Sequence, residues 1–266
     1  MWNIIRAQFY QLVRDKVTWF VLFFTIALNA VFSFGIVVED AGETLSGSYV
    51  VANIGSMYCI SSLLFLMIIM ANAMGKDFMD KTLNYEILSG HSRNEVFFGR
   101  FIVAMVTGMT GTLLIMILFP CIITVISGWG TAMEMQGILL RYTLIFISLF
   151  RICCELALFT ILTKNPYVTY LVGFLAGYLQ MLLPMAQTQF PDWFADANPV
   201  VLAVWNCLDL LNFQENASSV LHEAGPILYQ SSVGTAMITQ TIGVSVTVGV
   251  AALVIGSIYF QKNDLN

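Results

Sequence analysis

The chain has 266 residues, of which 58% are hydrophobic and only 10% charged, with a net charge of −5 and a mean hydropathy of +0.81. Soluble domains carry roughly 25% charged residues. A soluble chain of this size could not hide so much apolar surface, so lipid is the expected solvent and an all-α integral membrane fold the expected class.

Residues 1–16 form the first predicted element. Trp2, Ile5, Phe9, Leu12 and Val13 recur at three- and four-residue steps, with Arg6, Gln8, Gln11, Arg14 and Asp15 between them. That pattern predicts an amphipathic elbow helix lying in the headgroup plane. The alternative extends the first span into the cytosol. A polar start of this kind is not the apolar core of a cleavable signal peptide, so the first span is expected to act as the insertion signal.

Six stretches reach the roughly 20 apolar residues needed to cross a bilayer. They are residues 17–38, 49–74, 101–126, 141–163, 167–185 and 234–260. Arg6, Arg14, Lys16, Lys76, Lys81, Arg93, Arg100, Lys164 and Lys262 fall on one side of this layout. The other side holds Arg141, at the mouth of span four, among Glu39, Asp40, Glu43, Glu134, Asp192, Asp196, Asp209, Glu215 and Glu223. The positive-inside rule then predicts cytoplasmic N- and C-termini. Residues 186–232 become an external cap of one or two re-entrant or surface helices. No linker divides the chain, and a single domain over 1–266 is expected.

Between spans two and three lies the polar segment 75–100, GKDFMDKTLNYEILSGHSRNEVFFGR. Residues 77–88 predict a helix, with Met79, Leu83 and Ile87 four apart on one stripe and Phe78 and Tyr85 close by. Ser89-Gly90 predicts its end, because glycine accepts the left-handed conformation. Ser92 with Glu95 three residues later predicts a capping box for the next helix, which leads into span three. Two vertical helices joined by a stiff horizontal one would turn a push from below into a tilt within the bilayer. An ordinary solvated loop is the plainer reading.

This segment resembles the signature of the ATP-binding-cassette type-2 permease family. Thr82, Leu83, Leu88, Ser89, Ser92 and Arg93 stand at matching places. Lys81 stands where the family often has Gly, and Asp77 where it often has Glu. The order of elements and the ending YFQKNDLN are also similar to the family. The SGHSR wording resembles permeases of Gram-positive bacteria, which implies a bacterial plasma membrane. The resemblance further implies that the 77–88 helix docks on a separate ATPase, with Asp77, Met79, Thr82, Leu83, Tyr85, Ile87, Leu88 and Arg93 as the coupling residues. It implies two ATPase subunits that bind ATP and Mg, and a second permease protomer, identical or paralogous. Cargo would be an amphipathic or hydrophobic molecule such as an antimicrobial peptide or a drug. The chain itself has no GxxxxGK[ST] phosphate loop, so it is expected to be a transport subunit and not an ATPase. No nucleic-acid partner is expected. An ion-coupled transporter and a non-transporting scaffold are the alternatives.

Span four contains Arg151 and Glu155, four residues apart and hence on one helix face. Arg151 is about 20 Å along the helix from Lys164 at 1.5 Å per residue, near mid-membrane. Charges at that depth are expected to pair. They would orient span four, contact substrate or a gate, or relay a proton. Cys59, Cys121, Cys153, Cys154 and Cys207 have neither metal-ligand nor disulfide spacing, and His91 and His222 are predicted on opposite sides of the membrane. No metal site and no catalytic set are expected.

Overall fold

The computed structural model describes residues 1–39, 46–79, 83–131, 134–175, 190, 193 and 235–262. In chain order these form α1 (Trp2–Arg14), α2 (Lys16–Glu39), α3 (Gly47–Met79), α4 (Leu83–Leu88), α5 (Arg93–Ser127), α6 (Met135–Thr163), α7 (Pro166–Leu175) and α8 (Thr235–Lys262). Among the described residues there is no strand.

Among the described residues, four helices are long and apolar enough to cross a membrane: α2, α5, α6 and α8. The chain is therefore a multi-pass membrane protein, helical in the regular structure of its described residues. The remaining two expected spans fall on α3 and α7, whose described apolar stretches are Ile60–Lys76 and Pro166–Leu175. The latter half of the fifth expected span, and the expected external cap apart from Phe190 and Trp193, lie outside the described residues.

α3 is the central post. It packs along α5, with α2 and α6 at its flanks, while α8 lies against α6 and α1 rests on α5. Small residues permit the α3–α5 approach. A methyl group on Gly111 would stand 2.1 Å from Phe65 Cε1, and one on Gly108 would stand 2.6 Å from Leu66 Cδ1. Leu66, Met70, Val96, Met116 and Leu149 are wholly enclosed by this packing. Gly173 of α7 faces Leu156 and Met67 of the same chain.

The outward surface is apolar. Phe20, Phe23, Phe24 and Phe34 of α2 are exposed, as helices that face hydrocarbon require. At 35 residues, α5 is about 52 Å long at 1.5 Å per residue. The hydrocarbon layer is about 30 Å thick, so several turns of α5 must project beyond it.

α1 differs from expectation in one respect. Its predicted apolar stripe divides between two directions. Ile4, Gln8 and Leu12 are the buried positions, with Ile4 against Gly99 of α5. Trp2, Phe9 and Val13 remain exposed on the far side. The buried row includes a polar residue because Gln8 has a partner there.

Candidate functional site

The charged segment 75–100 begins inside a helix. α3 runs through Gly75 without interruption and ends at Met79. A methyl group at Gly75 would meet Thr160 Cγ2 at 2.9 Å and Pro166 Cβ at 3.1 Å. The foot of α3 is therefore pinned to the turn between α6 and α7. Residues 80–82 lie outside the described residues. The helix that follows, α4, has six residues, where the sequence predicts one over 77–88.

Local chemistry shapes the turn after α4. Ser89 N–H donates to Tyr85 O at 3.0 Å, and Gly90 N–H donates to Ile87 O at 3.0 Å. Gly90 has φ +97°, a left-handed geometry that glycine adopts without steric cost. Ser92 then caps α5. Its hydroxyl accepts from Glu95 N–H at 3.3 Å, while Glu95 Oε2 accepts from Ser92 N–H at 3.3 Å. The predicted capping box is present in full.

The turn folds α4 back toward α5 and brings Glu86 to Arg100. Arg100 Nη2 donates to Glu86 Oε1 at 2.7 Å, and Arg100 Nε donates to Glu86 Oε2 at 3.3 Å. Gln8 Nε2 adds a longer contact to the same Oε1 at 3.4 Å. One carboxylate thus joins α1, α4 and α5. The Arg100 side chain is 3% exposed and that of Glu86 28%. A two-point guanidinium–carboxylate contact fixes direction as well as distance.

On the opposite side of α4 two large side chains are uncovered. Tyr85 is 72% exposed and Leu88 81%. Ile87 packs partly into the core. α4 is therefore bound by its acid on one side and free on the other.

A second junction sits beside the first. Arg93 Nη1 donates to Gln261 O at 2.9 Å, and Gln261 Nε2 donates to Asn94 Oδ1 at 2.6 Å. The start of α5 thereby holds the end of α8. Aromatic rings fill the space behind. Phe260 meets Phe97 at 5.8 Å and Phe78 edge-on at 6.1 Å. These three rings are nearly inaccessible, and they tie α3, α5 and α8 into one base.

The expected coupling residues are thus distributed. Asp77 and Met79 lie in the last turn of α3, with side chains outside the described residues. Thr82 lies outside them altogether, as does the Leu83 side chain. Tyr85 and Leu88 face outward, Ile87 faces inward, and Arg93 bonds to α8. Sequence reasoning missed Glu86, Arg100 and Gln8 as a set. The opposite charges flanking Ser89-Gly90 were the available signal for the first two, whereas Gln8 gave none.

In α6, Arg151 Nε stands 3.4 Å from Glu155 Oε1. Arg151 is fully enclosed, while the Glu155 side chain is 26% exposed. Opposite charges at this spacing neutralise one another on the helix that α8 covers. Gly249 of α8 comes within contact distance of Arg151, its missing Cβ falling 3.4 Å from Arg151 Cα. No family model matches this chain, and no curated protein matches it.

Proposed function

We propose that the chain is the membrane-spanning permease subunit of an ATP-driven exporter, energised by a separate ATPase. The observation that carries the reading is the two-sided construction of α4. Its outer side offers Tyr85 and Leu88, the large side chains that a groove on a protein partner takes up. Its inner side is bonded through Glu86 to Arg100 and Gln8. Displacing α4 displaces the middle of α1 and the head of α5 with it, and α5 is one of the long apolar helices.

The family resemblance of the 75–100 segment supports the same reading. Under it, α1 is an elbow in the headgroup plane, α3 and α7 complete six spans, and both termini face the cytoplasm of a bacterial cell. A second protomer completes the pathway. Two ATPase subunits bind ATP and Mg and push on α4, which begins at Leu83, and on the neighbouring coupling residues Asp77, Met79 and Thr82. The cargo is an amphipathic or hydrophobic molecule, such as an antimicrobial peptide or a drug.

The test is purification of the tagged chain from its own membrane, followed by assay for ATP hydrolysis in the purified fraction. The native chain carries an ATPase. Tyr85→Asp and Leu88→Asp each reduce the retained hydrolysis about thirtyfold, the effect of losing an interface anchor worth about 2 kcal/mol. The thermal midpoint of the membrane chain does not move, because both side chains are free of the core. Hydrolysis retained in both variants removes the coupling role from α4. A native preparation without any ATPase removes the exporter reading.

A further inference from the structure

We infer that the outward face of α1 binds anionic phospholipids of the bilayer surface. The inference rests on the reading of α1 as a helix beside the membrane and adds the class of lipid.

α1 turns Ile4, Gln8 and Leu12 toward the protein. At about 100° per residue the opposite face is graded from one edge to the other. Trp2, Phe9 and Val13 make an apolar flank, Arg6 and Tyr10 the middle, and Asn3 and Arg14 the remaining edge. Trp2, Phe9, Tyr10 and Val13 are all more than two-fifths exposed. A shallow groove of about 480 Å³ runs among Asn3, Arg6, Ala7, Phe9, Tyr10 and Val13. The small side chains of Asn3 and Ala7 leave the space, and the larger ones wall it. The guanidinium of Arg14 lies over the Tyr10 ring, 4.7 Å from its centroid, which holds a cation at the groove's edge.

The sequence of chemistries across this face is that of a lipid monolayer met edge-on. Carbon-rich side chains reach the acyl region, aromatic rings sit at the interface, and guanidiniums stand at phosphate height. The helix is held at that level. Trp19 Nε1 donates to Val13 O at 2.6 Å, so the end of α1 is fastened to the first turn of the apolar helix α2.

Charge selects the occupant. The chain as a whole is acidic, with a net charge of −5, yet α1 carries Arg6 and Arg14 and no acid. The neighbouring Asp15 turns its carboxylate to Thr18, whose hydroxyl donates to it at 3.3 Å. Zwitterionic lipid would satisfy the apolar flank and leave two guanidiniums without net countercharge. Anionic lipid satisfies both.

The full chain, carrying the photo-crosslinking amino acid benzoylphenylalanine in place of Phe9, tests this in vesicles of equal parts phosphatidylcholine and phosphatidylglycerol. Mass spectrometry identifies what is attached after irradiation. The expected product is crosslinked lipid enriched in phosphatidylglycerol about fivefold over phosphatidylcholine, the preference of roughly one surface cation. The enrichment disappears in Arg6→Gln/Arg14→Gln, survives in Arg6→Lys/Arg14→Lys, and shrinks in high salt as screening tightens. Lipid crosslinks without enrichment overturn the anionic preference and leave the surface placement standing. Crosslinks to protein alone overturn the placement itself.

Discussion

Glu86 and Arg100 come from opposite arms of a helical hairpin, and their side chains meet through two hydrogen bonds of 2.7 and 3.3 Å. The two ends of this contact differ in their surroundings. Arg100 is almost entirely enclosed, whereas about a quarter of Glu86 remains open. Removing the acid takes this two-point contact away from a buried cation. Removing the cation leaves an acid that water can reach.

That asymmetry gives an ordered prediction. Glu86→Leu destabilises the protein by about 3 kcal/mol, the scale for removing one partner of a buried ion pair. Arg100→Leu costs less, and the double substitution costs less than Glu86→Leu alone. Thermal or denaturant unfolding of the detergent-solubilised chain reads all three. Additive losses in the double variant would show that the two side chains act separately.

Arg93 offers a way to separate a partner contact from an internal one. The family resemblance assigns it to ATPase coupling, while the structure bonds it to the Gln261 carbonyl at the end of α8. A cation at a helix C-terminus satisfies an orphan carbonyl and meets the negative end of the helix dipole. Arg93→Ala is expected to cost about 1 kcal/mol and to speed amide hydrogen exchange in the last turn of α8. Unchanged exchange in that turn, together with lost ATPase binding, would place the arginine at the partner instead.

What the sequence discloses here follows the range of each interaction. The apolar lengths of α2, α5, α6 and α8 answer directly to bilayer thickness, and composition alone finds them. The Ser92–Glu95 box, the Gly90 turn and the Arg151–Glu155 pair are all set within four residues, so spacing reveals them. Glu86 and Arg100 are fourteen residues apart and meet only because the Gly90 turn reverses the chain. Gln8 lies 78 residues from Glu86, and nothing in its neighbourhood marks it. Periodicity likewise shows that α1 is amphipathic without showing which of its apolar residues dock. Ile4 and Leu12 turn inward and Trp2 and Phe9 outward because the complementary surface belongs to α5.

The pair inside α6 yields the last prediction. Arg151 is wholly enclosed, with Glu155 3.4 Å away on the same helix face. α8 packs against that helix, and Gly249 permits the approach. A lone charge at this depth costs roughly 3 kcal/mol or more in hydrocarbon, so the two groups are worth keeping only together. Glu155→Leu takes this carboxylate away from the enclosed arginine and is expected to reduce the amount of folded chain in the membrane severely. Arg151→Leu with Glu155→Leu removes both charges and restores much of that amount. Under the exporter proposal, transport measured on the double variant then isolates any further duty of the pair. Near-normal transport assigns it to orienting α6, and lost transport in a well-folded double variant assigns it to the cargo or the gate. Equal folding defects in Glu155→Leu and the double variant would refute the pairing.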